Sequence, residues 1–237
     1  MAGFNLARSS TQFLDYVQGW FDELRPVSLD ELIGEHPERV GIFCVDVVVG
    51  FCQEGALASP RINAVVPAIA DLFSAAHAAG VRNFVLPQDT HHDEAVEFGH
   101  YARHCVAGTR EAETVPELAS LPFAADYTVI PKNSLSATLG TSFGDWMREH
   151  PEVDRFIVVG DCTDLCAYNL AMHLRLYANA YQEQRRVIVA ENLVQTYDLP
   201  IETARQVGAF PHPGDFYHYV FLHHMAQNGV EVVSEIN

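Results

Sequence analysis

Apolar runs of strand length alternate with helical patterns along most of the chain. Between the strand-like runs, apolar residues recur at helical spacing, as in INAVVPAIADLFSAAHAAG, which Gly80 ends. Strands that alternate with helices form parallel sheets covered on both faces. The pattern therefore predicts an α/β fold with three αβα layers around a six-stranded, mostly parallel sheet. Its six predicted strands are VGIFCVDV from Val40, VRNFVLP, DYTVIP, FIVVG, RRVIVA and VEVVS.

Residues 1–38 precede this alternation and show a different pattern. The segment TQFLDYVQGWFDEL has apolar residues at helical spacing, and SLDELI begins with Ser28 as an N-cap, followed three residues later by Glu31. The sequence predicts a helical N-terminal extension over 1–38, packed on the core or on a partner subunit. One α/β domain is expected over 39–237.

Length and charge limit the classes of function. The chain has 237 residues, of which 49% are hydrophobic, enough for one well-buried α/β domain. A formal net charge of −17 argues against nucleic acid and anionic membrane as partners, because binding either requires Lys and Arg to neutralise phosphates. No apolar run reaches membrane-spanning length, the N-terminus lacks the features of a signal peptide, and the odd number of cysteines fits reduced thiols. A cytoplasmic protein is expected.

Three ionisable side chains follow strand-like runs. Asp46 follows VGIFCV, Lys132 follows YTVIP, and Cys166 ends FIVVGDCTDLC just before a predicted helix. The carboxyl ends of strands in an open parallel sheet converge on one crevice, so these side chains are expected to meet there. A cysteine at a helix N-terminus is expected to have a lowered pKa, which favours the nucleophilic thiolate. The alternative is structural: a helix-capping Asp46, a solvated Lys132 and a Cys166 that is simply buried.

The irregular segment from about Gln88 to Pro122 is a second candidate region, because long loops in compact domains usually carry function. Asp89 and His91 are two positions apart, so in an extended segment their side chains face the same way, and His104 can return as a third ligand. One carboxylate and two imidazoles suit Zn²⁺, Fe²⁺ or Mn²⁺. A histidine-rich polar loop without a metal explains the spacing equally well.

These motifs resemble those of the isochorismatase-like cysteine hydrolases and, within them, the plant-type nicotinamidases. The resemblance runs from about Val40 to the C-terminus and implies a Rossmann-like, isochorismatase-like domain over 39–237. It also implies hydrolysis of nicotinamide to nicotinate and ammonia through a cysteine thioester. The similar segments are VDVVVGFCQEGALASP, DTHHD, YARHCVAGT, VVGDCTDLC, TYDLP and HPGDFYHYVFLHHMAQNGVEVVSEI.

The resemblance implies a role for each residue of the catalytic motifs. It makes Cys166 the nucleophile, Asp46 the general acid and base, and Lys132 the third member of the triad. The backbone N–H groups of Cys162 and Cys166 would form the oxyanion hole, shaped by a cis peptide between Asp161 and Cys162. Asp161 is itself a departure, since the family usually has an apolar residue there, and it changes the pocket wall or the charge beside the cysteine.

The resemblance also implies a metal site and a substrate platform. Glu97 would be a fourth metal ligand, directly or through water, and Phe51 and Tyr101 would stack on the pyridine ring. One divalent transition metal is expected, zinc first, with iron and manganese as alternatives. The three principal ligands would be Asp89, His91 and His104.

Several alternatives remain open at the level of sequence. The substrate can be another small amide, such as a carbamoyl or ureido compound. A metallohydrolase would activate water at the metal and leave Cys166 structural. A catalytically silent homologue should have lost a triad member, and all three candidates are present. A small-molecule substrate and a homo-oligomeric state are expected.

Overall fold

The computed structural model describes residues 5–237, and the first four residues of the predicted extension lie outside the described residues. No helix within 5–237 is both long and apolar enough to cross a membrane.

The strands are β1 (Val40–Val45), β2 (Asn83–Asp89), β3 (Thr128–Lys132), β4 (Arg155–Asp161), β5 (Arg186–Gln195) and β6 (Glu231–Val233). The helices are α1 (Leu6–Asp22), α2 (Leu29–Ile33), α3 (Val49–Cys52), α4 (Pro60–Asn63), α5 (Val66–Ala78), α6 (Pro116–Ala119), α7 (Phe143–Glu149), α8 (Cys166–Tyr181), α9 (Ile201–Val207) and α10 (Gly214–Gln227).

The six strands form one sheet in the order β3-β2-β1-β4-β5-β6, and every pairing is parallel. The predicted six-stranded αβα fold is confirmed. The strand order reverses between β1 and β4, which is where ligands bind in open α/β sheets. Because Val45 pairs with Gly160, the next residues, Asp46 just after β1 and Asp161 at the end of β4, lie side by side at the carboxyl edge of the sheet.

Alternation along the strands divides the interior into two cores, one on each face of the sheet. Ile42 and Cys44 of β1 face the core beneath α5, whereas Phe43 and Val45 face the core beneath α8. All six residues of β1 are buried, as expected for a central parallel strand. The site at the strand ends therefore rests on a rigid, two-sided support.

The predicted helix INAVVPAIADLFSAAHAAG is wrong in one respect, since the structure divides it into α4 and α5. Pro67 lies in the first turn of α5, where its missing N–H costs nothing, but its ring is incompatible with a helix that continues from the preceding turn. The long loop is confirmed as mainly irregular, although β2 extends through Asp89 and so fixes the first predicted metal ligand on a strand.

The described part of the N-terminal extension packs on the chain's own core. Trp20 of α1 contacts His223 of α10 edge-on, with ring centroids 5.1 Å apart. Leu32 and Ile33 of α2 are buried in the core beneath α5, and Val27 pairs with Ile236 near the C-terminus. The predicted domain boundary at residue 38 stays a prediction.

Candidate active site

The carboxyl edge of the sheet brings Asp46, Lys132 and Cys166 together. Lys132 Nζ lies 2.7 Å from Asp46 Oδ2 and 3.5 Å from Cys166 Sγ. All three residues are buried. The lysine also donates a hydrogen bond to the Ser134 carbonyl (3.1 Å), which directs its side chain inward. The arrangement is that of a thiol with an acid and a cation beside it.

Two backbone features hold Asp46 in this position. Asp46 itself has a φ of 55°, a left-handed conformation that turns the chain sharply away from β1. Its Oδ1 accepts a 2.7 Å hydrogen bond from the Asp89 N–H, which ties it to the end of β2. Gly160 permits the close approach of β4, because a Cβ there would lie 2.1 Å from the Val45 carbonyl oxygen.

Burial and neighbouring charges set the protonation of the acid and the lysine. Burial, with the Asp89 carboxylate second, raises the pKa of Asp46 to about 6 despite the opposing effect of Lys132. Burial lowers the pKa of Lys132, but the surrounding anionic groups outweigh it and the net pKa lies above the usual range. Lys132 therefore stays charged, while Asp46 has a pKa suited to exchanging a proton near neutrality.

The thiol of Cys166 does not have the lowered pKa that its helix-terminal position predicts. Burial raises its pKa well above the usual range, and the Lys132 ammonium only partly offsets this effect. The sequence-based expectation of a lowered pKa is wrong because burial disfavours the charged thiolate. A neutral thiol needs a base before it can act as a nucleophile, and Asp46 lies beside Cys166.

The segment from Cys162 to Cys166, here called the nucleophile turn, joins β4 to α8. The Asp161–Cys162 peptide is cis, as the resemblance implies. Within residues 5–237, neither the Cys162 N–H nor the Cys166 N–H donates a hydrogen bond to the backbone. Two free N–H groups that flank a thiol are what an oxyanion hole requires.

Three acceptor atoms converge next to the triad. His91 Nε2 and His104 Nε2 are 3.1 Å apart, and they lie 3.3 and 3.5 Å from Asp89 Oδ2. His104 Nδ1 donates to the Ala102 carbonyl and His91 Nδ1 donates to Asn133 Oδ1, so both Nε2 atoms present lone pairs. Asp89 Oδ2 has no hydrogen-bond partner within 5–237. Converging lone pairs on two imidazoles and a carboxylate fit a divalent transition metal.

Asp89 links this cluster to the triad. Its Oδ1 accepts a 2.5 Å hydrogen bond from Lys132 Nζ, while its Oδ2 faces the imidazoles. Burial raises the pKa of Asp89, but the Lys132 ammonium opposes burial, and the net pKa lies well below the usual range. The carboxylate is therefore ionised, as a metal ligand must be.

The remaining predicted residues surround His104 or lie beside it. The Phe51 ring centroid is 5.3 Å from that of His104, and the Tyr101 centroid is 6.4 Å from it. Glu97 lies outside the group of three converging ligands, and its Oε2 accepts instead from the Leu135 N–H. The predicted role of Glu97 as a fourth ligand, directly or through water, stays a prediction.

Asp161 is a buried carboxyl with an unsatisfied oxygen. Burial, and next the Asp46 carboxylate, raise the pKa of Asp161 well above its usual range. Its Oδ2 has no hydrogen-bond partner within 5–237. The departure noted in the sequence therefore places an additional acid behind the nucleophile turn.

Sequence reasoning missed Asn133, which orients the metal cluster. Its Oδ1 accepts hydrogen bonds from both the His92 N–H and the His91 ring. Its position directly after Lys132 was the available signal, because the residue that follows a catalytic strand end is held at the same crevice.

A family model for the isochorismatase domain matches residues 40–235. The chain belongs to the isochorismatase family. Nicotinamidase 1 of Arabidopsis thaliana is 31% identical over 238 residues, covering 92% of this chain and 96% of that protein.

Solved structures show the same fold at low identity. The pyrazinamidase of Pyrococcus horikoshii in complex with zinc superposes with a TM-score of 0.63 at 21% identity, covering 82% of this chain and 98% of that one. The N-carbamoylsarcosine amidase of Thermoplasma acidophilum gives a TM-score of 0.58 at 22% identity, over 82% and 95% of the two chains. Membership of the isochorismatase-like hydrolases indicates a small-molecule amide substrate.

Proposed function

We propose that this isochorismatase-family protein is a cysteine-dependent amidohydrolase and that nicotinamide is its substrate. The observation that carries the proposal is the contact of one lysine with both an acid and a thiol, directly beside a three-ligand metal site. Lys132 Nζ touches Asp46, Cys166 and the metal-cluster residue Asp89 at 3.5 Å or less. The similarity to the Arabidopsis nicotinamidase supports the choice of substrate.

The first half of the reaction forms a thioester. Asp46 accepts the thiol proton as Cys166 Sγ attacks the carboxamide carbon, and the adjacent Lys132 ammonium stabilises the negative charge on sulfur. The carbonyl oxygen becomes an oxyanion that the N–H groups of Cys162 and Cys166 bind, a contribution of about 3–4 kcal/mol per well-placed donor. Asp46 then protonates the leaving nitrogen, and ammonia departs.

The second half releases the acid. Asp46, ionised again, takes a proton from water as the water oxygen attacks the thioester carbon. The same two N–H groups bind the second oxyanion, and its collapse expels the Cys166 thiolate. The proton on Asp46 returns to sulfur, which leaves a neutral thiol and nicotinic acid, and the acid then loses its carboxyl proton to solvent to give nicotinate.

The metal would be held by Asp89, His91 and His104, with Glu97 acting through water. When bound, it supplies a Lewis-acid contact for a ring nitrogen, directly or through water, and so selects which ring position faces the thiol. Phe51 and Tyr101, next to His104, would provide the flat apolar surface for the ring.

The deciding experiment is ammonia release from nicotinamide by zinc- and iron-loaded protein. A panel of benzamide, an aliphatic amide and an N-carbamoyl amino acid serves for comparison, and Cys166→Ala is the blank. We expect nicotinamide to have the highest kcat/KM. Turnover of the N-carbamoyl compound without turnover of nicotinamide would retain the cysteine hydrolase and reject the substrate.

A second candidate is hydrolysis of a carbamoyl or ureido compound. The specific observation in its favour is Asp161, whose unsatisfied carboxyl oxygen suits a substrate more polar than a pyridine ring. An Asp161→Ile variant that loses carbamoyl turnover while it gains nicotinamide turnover would favour this candidate.

A further inference from the structure

Two histidines from the C-terminal part of the chain hold the nucleophile turn. His212 lies in the loop before α10, and His218 lies within α10. His212 Nε2 is 2.8 Å from Asp164 Oδ2, and His218 Nδ1 is 2.9 Å from Thr163 Oγ1. Thr163 and Asp164 are two of the three residues between the two proposed oxyanion donors, Cys162 and Cys166.

Ring stacking and backbone hydrogen bonds hold His212 in place. Its ring is stacked between Tyr197, at a centroid distance of 3.9 Å, and Tyr217, at 4.5 Å. Its Nδ1 donates to the Tyr197 carbonyl, and its backbone N–H and carbonyl pair with Leu199. The imidazole therefore has a single orientation, with Nε2 directed at Asp164.

Both carboxylate oxygens of Asp164 have a hydrogen-bond partner. One oxygen accepts from His212, and the other accepts a 2.6 Å hydrogen bond from Thr196 Oγ1. Both ring nitrogens of His212 lie within hydrogen-bond distance of an oxygen, one from the Tyr197 carbonyl and one from Asp164, so the ring is held at both ends. Asp164 is buried, which removes competition from water.

We propose that His212 and His218 are positioning residues that fix the nucleophile turn, and with it the direction of the Cys162 and Cys166 N–H groups. This inference rests on the proposed acyl-transfer function. Oxyanion donors act only when they are aimed at the transition state, so small displacements of the turn reduce kcat more than they weaken substrate binding.

A matched pair of amide substitutions separates the two contacts of His212. His212→Gln can place its amide nitrogen where Nε2 lies and keep the bond to Asp164, whereas His212→Asn reaches only the Nδ1 position and loses it. We expect His212→Asn to lower kcat by about 10–100-fold with KM changed less than about threefold. His212→Gln should recover most of that loss. His36→Phe, which removes an exposed histidine hydrogen-bonded to Glu38, is the control and should change neither constant.

Thr196→Val provides a second approach that nearly preserves side-chain volume. It removes the other hydrogen bond to Asp164 and should lower kcat in the same direction, even if a His212 variant fails to fold. His218→Asn, which can keep the Nδ1 contact, should retain more kcat than His218→Leu, which cannot. Equal kcat values within each pair, with losses only in melting temperature or KM, would overturn the proposal.

The substrate for these measurements is chosen so that two failures can be told apart. Each variant is assayed with nicotinamide and with p-nitrophenyl acetate, an ester that needs the thiol and the oxyanion donors but no pyridine site. Ester cleavage that depends on Cys166, without nicotinamide turnover, would reject the proposed substrate while the variants still decide the positioning role. Absence of Cys166-dependent turnover of either substrate would overturn both.

Discussion

The carboxyl end of the parallel sheet buries a group of charged side chains, whereas an ion pair at its amino end is partly exposed. At the carboxyl end, one lysine and three carboxyl groups are no more than 1% exposed: Lys132, Asp46, Asp89 and Asp161. At the amino end, β5 and β6 each begin with a charged residue that is partly exposed to solvent. Arg186 and Glu231 pair at 2.7 Å with side chains 38% and 45% exposed.

The buried charged group at the carboxyl end is suited to chemistry, whereas the exposed pair at the amino end contributes mainly to solubility. An exposed ion pair contributes little free energy, and burying a charge costs several kcal/mol unless partners compensate. Three buried carboxyl groups lie near one lysine. Burial first, and a neighbouring carboxylate second, raise the pKa values of Asp46 and Asp161, and Lys132 offsets these effects only in part. Such an arrangement is poor for stability and well suited to proton transfer.

The largest effect is expected from Cys166→Ala. Removing the nucleophile should lower amide turnover by about 10⁴-fold or more, because the remaining groups form no acyl intermediate. Ammonia release measures the loss, and calorimetric titration with nicotinate should show product binding retained. If turnover persists and a chelator abolishes it, the metal activates water directly and the cysteine is structural.

Lys132→Met should damage both activity and stability. It removes the cation between Asp46 and Asp89 and leaves two buried carboxylates uncompensated, which should lower the free energy of unfolding by about 3–5 kcal/mol. Arg186→Met at the amino end is the matched control, and its effect should stay below about 1 kcal/mol. Chemical denaturation of both variants measures the contrast. Equal losses at the two ends would show that burial does not govern the cost.

Metal loading is expected to have the next largest effect on stability. Zinc added to metal-free protein at about 100 times its dissociation constant should stabilise the fold by about 2.7 kcal/mol, because the unfolded chain lacks the assembled site. Differential scanning calorimetry with elemental analysis measures this effect. The control is His92→Ala, whose histidine lies next to the site but outside the three-ligand group. His104→Ala should abolish the shift, and an undiminished shift in His104→Ala would place the metal elsewhere.

Local patterns predicted the sheet and the residues at its carboxyl edge, because strand ends can be read from apolar runs. The same patterns could not predict His212 and His218, which contact the nucleophile turn from 48 and 55 positions away. Tertiary packing sets those contacts. A local sequence pattern also does not show how deeply a residue is buried. For this reason the predicted lowering of the Cys166 pKa was wrong. For the same reason, the lack of a hydrogen-bond partner for Asp161 Oδ2 within residues 5–237 was not predicted.

The smallest effect at the carboxyl edge is expected from Asp161→Ile, and it is a gain in stability. Asp161→Ile replaces an unsatisfied buried carboxyl with an apolar side chain and should raise the free energy of unfolding by about 1–2 kcal/mol near neutral pH. The pKa of Asp161 is raised on folding, so the native state retains a proton that the unfolded chain releases above about pH 4. The cost of Asp161 therefore grows as the pH rises, and the advantage of Asp161→Ile over wild type should be smaller at pH 4 than at pH 7. Urea denaturation at the two values measures the difference. If the difference in free energy of unfolding between Asp161→Ile and wild type does not change with pH, or if the variant is less stable at both pH values, Asp161 has a stabilising partner. The excess of carboxyl groups over lysine at the carboxyl end is then smaller than the geometry indicates.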